Sequence, residues 1–573
     1  MTKKRTLRIG LVILFVGVLL VVFTNVILES VVGRYLNREI TKINQEKNYI
    51  LTLDDFDINI FLGRISIEGL SINPKEEFLD SLVNGATAER ALEALSVSKV
   101  TLSGLSILNY LKNKQIDVKQ IVVDQLNFNL YRPQKEHNIA VVDEEKESTF
   151  SIDSIHISGL KELSLAEIKI ENYGFHIIDA SNRDTISAYQ GKELIIDGID
   201  LVPVKDNIGY FHLDNSELEI RLQKQEFNLP GGLYVLNFEN LRYSFGDEHI
   251  SIDGLNFKPR VSNAEVMSTF KYSGEVYEIA IKNISISGFD ADPLIHSGVV
   301  YIDQIAIDSM TTLIAKDKSK PFNENKRTLL PVQGLKRSNQ PLQINSISVT
   351  NSFLNYSEQD KMPKDLLNLD ISEINVTINN ISSLKDSISI DKDLTIDFKA
   401  KLISTPIETY IKMPYNSADG RFYFSGNSLG ATNFTFFNST VRPAIGVKLV
   451  GGRLDGINWD AVGNSTAMDG SFTMLYTDLE VELFKKDNST NKALSWIANS
   501  LVKSSNPSKN GNTIVSTMHF ERVPYKGIGN YLWKSIQSGI VNALVPTGKH
   551  QSAKANKDGK NTPDKKKKSK NTN

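Results

Sequence analysis

The chain has 573 residues, of which 40% are apolar and 23% are charged, and it contains no cysteine. This is the composition of a folded protein, and the length suits about three or four conventional domains. The missing cysteines exclude a disulfide framework, a zinc or iron–sulfur site with cysteine ligands, and a cysteine nucleophile. They do not identify the compartment, because both the cytosol and an oxidising space hold proteins without disulfides.

The net charge of −2 is unevenly distributed along the chain. Basic residues give the first eight residues a charge of +4, and nine lysines against two aspartates give residues 549–573 a charge of +7. The remainder therefore carries −13. An acidic body lies between two basic ends.

An uncharged apolar run covers residues 9–28, and a helix of this length spans about 30 Å, the thickness of a hydrocarbon core. We therefore predict a transmembrane helix. Basic residues precede it, and the positive-inside rule places residues 1–8 in the cytoplasm and the body across the membrane. A cleaved signal peptide is the alternative, but its apolar region would be shorter and no Ala-x-Ala site follows. The anchor residues are Ile9, Leu14, Phe15, Leu20, Phe23 and Leu28, and the topology residues are Lys3, Lys4, Arg5 and Arg8.

Residues 29–50 keep an approximately helical apolar spacing and predict a connecting helix. From 51 to 523 the apolar period changes to two, which predicts a body of many short β-strands. Glycine turns separate several of them, as at Gly63. Pieces of the form φ-x-φ-x-x-φ-x-φ recur, where φ in this pattern stands for an apolar residue and x for any residue. They lack the fixed unit length of a propeller or a leucine-rich array. Helical signal is scarce, apart from short stretches such as Glu89–Leu95.

Alternation gives every strand one apolar face and one polar face. A second sheet could cover the apolar faces, as in a sandwich, or one long curved sheet could leave its apolar face lining a groove. Periodicity does not separate these architectures, but both are more consistent with the pattern than an α/β fold. Two segments without alternation, 133–148 and 315–341, are expected to be flexible excursions, and the Lys-rich tail 546–573 is expected to be disordered.

The search for catalytic residues finds one motif. The histidines are scattered, and neither a His-Glu-x-x-His sequence nor a P-loop is present. Residues 426–430 read Gly-x-Ser-x-Gly, which would make Ser428 a candidate esterase nucleophile. The strand–helix alternation of a hydrolase fold is missing, so a glycine-flanked turn is the favoured interpretation. We assign no catalytic residue, metal ligand or cofactor.

Residues 524–545 predict an amphipathic helix, because Ile528, Leu532, Ile536, Ile540 and Leu544 recur every four residues. The helix could cap the sheet or lie on a membrane. The tail could bind anionic lipid head groups or surface polymers, or it could serve only solubility. Nucleic acid is not expected as a partner for a body outside the cytoplasm. The candidate contacts with a membrane or a partner are Tyr531, Leu532, Trp533, Ile536, Ile540, Lys565, Lys566, Lys567 and Lys568.

The anchor followed by Phe56-Asp57-Ile58-Asn59 and by the strand-like residues 63–72 resembles the start of AsmA-like envelope proteins. Later segments resemble the AsmA-type proteins of Bacteroidetes-like bacteria, and the likeness covers most of residues 1–545 through loose apolar patterns. The lysine tail lies outside it. These later segments are Val441-Arg442-Pro443, residues 450–454, 468–470 and 474–479, Arg522 and Trp533-Lys534-Ser535-Ile536.

The resemblance implies a mainly β fold, with an elongated, twisted antiparallel sheet curved into a U-shaped groove. It also implies a single-pass protein of the bacterial inner membrane, with a periplasmic body that binds or conducts phospholipid acyl chains and supports outer-membrane assembly or lipid homeostasis. Roughly 25 strands at about 4.8 Å would give a groove on the order of 120 Å long. We therefore expect a periplasmic or outer-membrane partner protein, or a docking role for the C-terminal helix and the basic tail. A non-enzymatic envelope scaffold with a closed core and a Ser428 esterase remain as alternatives.

Overall fold

The fold is known from a computed structural model, in which the predicted anchor 9–28, the basic end 1–8 and the excursion 133–148 lie outside the described residues. Among the described residues, no helix is both long and apolar enough to cross a membrane. The structure describes residues 38, 40–42, 44–45, 48–59, 63–86, 91–132, 155–156, 160–205, 210–229, 231–291, 293–294, 298–338, 340–359, 367–384, 392–445, 447–483, 504–508, 510–544 and 551–554.

The described chain is mainly β. The first fourteen strands are β1 (Tyr49–Thr52), β2 (Asp55–Asn59), β3 (Arg64–Pro74), β4 (Leu92–Ser103), β5 (Gln115–Val118), β6 (Gln120–Arg132), β7 (Ile155–His156), β8 (Glu162–Leu165), β9 (Glu167–Asp179), β10 (Thr185–Asp197), β11 (Asp200–Pro203), β12 (Tyr210–Asp214), β13 (Glu219–Leu222) and β14 (Gln225–Asn228). The following strands are β15 (Tyr234–Phe238), β16 (Asn240–Ser244), β17 (His249–Pro259), β18 (Glu275–Ser287), β19 (Val300–Asp317), β20 (Leu342–Gln359), β21 (Leu367–Ser382), β22 (Leu394–Leu402), β23 (Thr405–Met413), β24 (Phe422–Asn433), β25 (Val447–Gly463), β26 (Ala467–Leu483), β27 (Asn512–Glu521) and β28 (Gln551–Lys554).

Short helices interrupt the strands, and a longer one follows β27. They are α1 (Glu76–Val83), α2 (Ile107–Asn113), α3 (Asn263–Thr269), α4 (Pro331–Lys336), a 3₁₀ turn (Phe434–Phe437), α5 (Asn438–Ile445) and α6 (Ile528–Leu544). The segment 315–341, expected to be a flexible excursion, contains the end of β19 and α4, and both Leu330 and Val332 in it are buried.

The strands form one large mixed sheet and a small five-stranded sheet. By contacts, the chain divides into two compact units. The first comprises Met1–Lys320, Leu335–Tyr356 and Glu373–Ser389, and the second comprises Pro321–Gly334, Ser357–Ser372 and Ile390–Asn573.

In the first unit, the pairs of the large sheet from β1 to β19 whose register the structure describes are antiparallel, with one exception. Strands β6 and β9 run parallel, with Ile121 opposite Ile168. This pair corrects the expectation of a purely antiparallel sheet. A parallel pair needs a crossover connection of a dozen residues or more, and the chain between Arg132 and Glu167 is long enough to supply one.

The small sheet lies within the first unit and comes mostly from the connections between long strands. Its order is β5, β8, β11, β12 and β7, and β5 pairs in parallel with β8. The helical residues before β1 are also fixed to the unit. The Asn44 side chain donates to the carbonyl oxygen of Leu51 at 2.9 Å and accepts from the Leu51 N–H at 2.7 Å.

Several long strands of the first unit carry a mid-strand residue with positive φ. They include Gly69 (φ 64°), Gln125 (φ 51°), Glu193 (φ 54°), Gly254 (φ 64°), Ser309 (φ 56°) and Asn351 (φ 52°). The pairing register continues unchanged across the first five of these positions, so those strands gain no extra residue over their neighbours. Instead, the side-chain alternation shifts by one position within the strand, since Ile65, Ile67, Leu70 and Ile72 of β3 are all buried. The recurring φ-x-φ-x-x-φ-x-φ pattern is therefore explained, because its x-x pair is the place of this phase shift and all four apolar residues share one face.

In the second unit, β22 to β27 pair antiparallel in chain order and α6 packs on β26 and β27. The helix buries a stripe of mostly small residues, Tyr531, Ser535, Gly539 and Ala543. Ser516 Oγ, on β27, lies 3.0 Å from the carbonyl oxygens of both Phe472 and Gly539. This close approach needs a glycine, since a Cβ at position 539 would lie 2.5 Å from Phe472 Cγ.

Gly539→Ala should therefore destabilise the second unit by about 1–3 kcal/mol, because the added methyl group forces α6 away from the sheet. Gly529→Ala is the matched control on the same helix, since nothing lies within 4 Å of its added Cβ. It should leave stability unchanged or raise it by up to about 1 kcal/mol, because alanine favours helix. Thermal unfolding followed by tryptophan fluorescence measures both, because Trp459 and Trp533 lie in this unit and the third tryptophan, Trp496, lies between them in the sequence. Equal effects of the two substitutions would contradict the close packing.

Candidate functional site

The first unit places apolar side chains from successive strands opposite one another in continuous rows. Each row crosses the sheet from strand to strand, perpendicular to the chain direction. Row 1 consists of Ile58, Ile65, Leu102, Ile121, Ile168, Ile196, Ile220, Tyr243, Ile250, Ile286 and Ile305. Row 2 consists of Phe56, Ile67, Val100, Val123, Ile170, Leu194, Leu222, Leu241, Ile252, Ile284 and Ile307.

A third row lies beyond the positive-φ positions, on the same face of the sheet. Its members are Ile72, Leu95, Phe128, Phe175, Tyr189, Phe227, Leu236, Phe257 and Ile279. Its aromatic rings contact in sequence. Phe128 stacks on Phe175 at 5.4 Å between centroids, and Tyr189 lies 6.2 Å from both Phe175 and Phe227. We call rows 1 to 3 the apolar face.

One end of the apolar face is covered by the small sheet. On β3, β4 and β6 the members of rows 1 and 2 are 1–8% exposed, with Val100 and Leu102 at 1%. They form one core cluster with side chains of the small sheet, which are Ile116, Val118, Leu163, Leu165, Leu201 and Phe211. Along this part of the rows, the protein has a closed core.

From β9 to β19 the same rows are only partly buried. The residue types do not change, yet every member of rows 1 and 2 on these strands is partly exposed except Tyr243, which is 9% exposed. Contiguous exposed apolar surface of this kind marks interaction sites on soluble proteins. The structure therefore assigns an open apolar surface to one part of the face and a closed core to the other.

The intervening residues of each strand form a polar opposite face. His249 Nε2 lies 2.8 Å from Ser285 Oγ, and Lys99 pairs with Glu68 at 2.7 Å. A cavity of about 370 Å³ on this side is lined mainly by charged side chains, so it differs in chemistry from the apolar face. Its lining residues are Lys169, Glu171, Lys192, Glu193, Gln223 and Lys224.

Tyr173 places its hydroxyl group among the apolar side chains. Its ring packs against Gly191, where a Cβ would lie 2.1 Å from the ring, and the buried hydroxyl has no hydrogen-bond partner. Burial raises the pKa of Tyr173 to about 12, so the group is neutral at physiological pH. The apolar face therefore gains no charge from this residue.

The candidate contacts on α6 fall into two groups. Tyr531 is 1% exposed and belongs to the buried stripe, whereas Leu532, Ile536 and Ile540 are partly exposed. Trp533 is 48% exposed, and Val541, which the sequence analysis did not select, is 51% exposed. The helix thus caps the sheet through small residues and leaves a large apolar flank in solvent. Lys565, Lys566, Lys567 and Lys568 lie outside the described residues.

Ser428 lies within β24, opposite Ile457, and not on a strand-to-helix turn. It is 1% exposed, and its buried hydroxyl has no hydrogen-bond partner. A serine nucleophile needs an accessible hydroxyl and a neighbouring base. This position does not have the geometry of the motif that its sequence matches.

The described part of the chain contains no cluster of three histidine, aspartate or glutamate residues suited to a metal ion. No known family model matches this chain. No curated protein sequence matches it with statistical significance. The apolar face of the first unit and the exposed flank of α6 are thus the surfaces on which a function can be argued.

The cysteine-free chain allows the open part of the apolar face to be tested by single-cysteine labelling. Ile284→Cys should react with a water-soluble maleimide in the native state at a rate close to that of Ser285→Cys, its neighbour on the polar face. Leu102→Cys should react at least about tenfold more slowly, because its 1% exposure requires local opening first. If Ile284→Cys were as protected as Leu102→Cys, the face would be a closed core throughout.

Proposed function

We propose that the protein binds phospholipid acyl chains on the open part of its apolar face, from β9 to β19. The observation that supports this most strongly is the pair of rows that cross these strands without a charged side chain. Among the described residues, these rows also have no covering layer beyond the core cluster that Ile168 and Ile170 of β9 contact. Each methylene group transferred from water to such a surface contributes about 0.8 kcal/mol. The sheet would hold the acyl chains while the head groups remain in water.

An acyl chain fits this surface better than a peptide does. The strands that carry the rows are paired on both sides, so their backbone groups are already hydrogen-bonded within the sheet. A peptide lying along the rows would bring N–H and C=O groups that need partners, and leaving them unpaired is costly. An acyl chain has no such groups.

The remaining parts of the proposal concern location and architecture. The apolar run 9–28 would anchor the chain in a bacterial inner membrane, with the body in the periplasm. The resemblance to AsmA-like envelope proteins supports an elongated sheet curved into a U-shaped groove and a role in outer-membrane assembly or lipid homeostasis. An envelope scaffold is the second candidate, favoured by the closed core that the small sheet forms over β3, β4 and β6.

Site-specific photo-crosslinking in living cells tests the lipid proposal. A photoreactive residue at Ile284 or Leu222 should crosslink to phospholipid, because these side chains lie in the open part of row 2. The same residue at Ser285, on the polar face, should not. Lipid crosslinks at neither row position, together with protein crosslinks at both, would favour the scaffold. Equal lipid crosslinking at positions 284 and 285 would contradict a site on one face.

The exposed flank of α6 is proposed to contact an anionic membrane, together with the lysine tail. The apolar flank would insert at the interface, and each lysine near the surface adds about 1 kcal/mol to membrane binding.

Trp533→Glu should abolish capture of phosphatidylglycerol vesicles by the full chain held in nanodiscs. It should not lower the thermal stability of the protein, because the side chain is 48% exposed. Gln537→Glu adds the same charge to this helix and should keep most of the capture. Unchanged capture by Trp533→Glu would refute this contact.

A further inference from the structure

The two ends of the open apolar face carry opposite charge. The turns next to row 1, which we call the acidic rim, contain eight acidic residues and no lysine or arginine. They are residues 197–200, 214–219, 244–249 and 287–291. At the other end, beyond row 3, residues 258–275 connect β17 to β18 and residues 316–320 include the end of β19. These two segments contain six basic and three acidic residues, and we call them the basic rim.

The carboxylates of the basic rim already have partners within the rim. Glu265 belongs to the capping box of α3. Asp317 accepts from the Ser319 N–H at 2.7 Å, and Glu275 pairs with Lys316 at 2.5 Å. None of these contacts uses a basic side chain other than Lys316, so the positive charge of the rim is largely uncompensated.

Three basic side chains of this rim face solvent. Lys258, Arg260 and Lys271 are exposed, and none of them forms an ion pair with another described residue. Lys271 Nζ lies 5.4 Å from the ring centre of Tyr272. Clustered charges of one sign raise the local concentration of ligands of the opposite sign, so the basic rim favours an anion.

The acidic rim has the opposite preference. Arg221 of the polar face pairs with Asp197 and Glu219, and the Ser244 hydroxyl group donates to Asp247 at 3.0 Å. Glu248 of the next turn is exposed. A phosphate group placed at this end of the face would therefore meet like charges, which repel it.

The apolar face itself ends in polar groups at the basic rim. On β18 and β19 its last apolar pair is Tyr277 opposite Ile314, and the next pair on the same face is Glu275 opposite Lys316. The Tyr277 hydroxyl group donates to Glu275, and the Lys316 side chain is 15% exposed. A ligand that lies along these strands would thus pass from apolar side chains to charged ones.

The distance between the rims suits an acyl chain that lies along a strand. On β18, Ile279 of row 3 and Ile286 of row 1 are seven residues apart, which corresponds to about 23 Å. One leaflet of a bilayer is about 15 Å of hydrocarbon, half of the full core. The acyl chains of one phospholipid therefore fit between the two rims.

We propose that the basic rim binds the phosphodiester of an anionic phospholipid, whose acyl chains lie along β17 to β19 and end near the acidic rim. This inference rests on the proposed binding of acyl chains to the apolar face. Lysine and arginine side chains donate charge-assisted hydrogen bonds to phosphate oxygens. A lipid with net negative charge gains most from this rim, because no cation on its own head group offsets the phosphate.

Fluorescence quenching in the full chain, kept in detergent, tests the orientation of the lipid. A bimane label at Ile279→Cys or Ile286→Cys is titrated with phosphatidylglycerol that is brominated near the ends of its acyl chains. Quenching should be at least about twofold stronger at position 286, because the two positions are about 23 Å apart and bromine quenches at contact. Equal quenching, or stronger quenching at position 279, would overturn the orientation and leave acyl-chain binding intact. Absence of quenching at both positions would overturn acyl-chain binding as well.

Neutralising the basic rim tests the choice of lipid. The wild type should bind phosphatidylglycerol more tightly than zwitterionic phosphatidylcholine, as measured by quenching at position 286. The triple variant Lys258→Gln, Arg260→Gln and Lys271→Gln should weaken phosphatidylglycerol binding by about tenfold or more, because each basic residue adds attraction to an anionic lipid. It should bind phosphatidylcholine through the acyl chains almost as the wild type does.

A second triple variant is the matched control for total charge. Lys161→Gln, Lys192→Gln and Lys224→Gln remove the same charge from exposed lysines of the first unit that lie outside the basic rim. This variant should keep the preference for phosphatidylglycerol. The proposal is overturned if the wild type shows no such preference, if the basic-rim variant retains it, or if both variants lose it equally.

Discussion

The apolar face depends on one constraint, which is that apolar side chains stay on the same face of the sheet along the whole of each long strand. A regular strand would place Ile250 and Leu255 on opposite faces, because side chains alternate with a period of two. The positive φ of Gly254 shifts the phase by one position, and Gln125, Glu193 and Ser309 do the same on their strands. A residue other than glycine costs about 1–2 kcal/mol in this conformation. Side-chain hydrogen bonds beside these positions offset part of this cost, as between Asn172 and Asp124 at 3.0 Å and between Asn283 and Asp253 at 2.8 Å.

The alternation of apolar residues predicted the strand content and the division of each strand into two faces, because period two is a local property of the sequence. The recurring x-x pair was noticed, but its meaning as a phase shift of the side chains needs the backbone conformation at that position. The parallel pair β6–β9 and the small sheet were not predicted, since both depend on pairing between distant segments. Leu92–Leu95 shows the same limit. This stretch was expected to be helical, yet it begins β4, where Leu92 and Ala94 are buried by tertiary contacts that override local propensity.

The sequence predicted an apolar sheet face and an amphipathic helix, but it did not predict which of their residues are exposed. On α6 the search for large apolar residues at helical spacing selected Ile528, Leu532, Ile536 and Ile540, whereas the structure buries the stripe that includes Ser535, Gly539 and Ala543. Small residues permit the closest approach of a helix to a sheet, so they can form the packed side of a helix whose larger apolar residues stay outside. The stripe of residues four apart, Tyr531, Ser535, Gly539 and Ala543, was visible in the sequence. The role of this stripe in packing was not visible, because the distance between α6 and the sheet is set by Phe472 of β26, which lies against Gly539.

The small sheet shows what the open part of the apolar face lacks. Where Leu163 and Phe211 cover rows 1 and 2, Val100 and Leu102 are 1% exposed, and further along the rows the same kinds of side chain remain partly exposed. Sequence composition does not distinguish the two parts, so the difference comes from how far along the rows the small sheet reaches, which is set by the connections between the long strands. Covering the remaining surface would contribute about 25 cal/mol for each Å² removed from water. The chain's own side chains fill one end of the face, and an acyl chain is the simplest apolar group that could fill the rest without leaving a polar group unpaired.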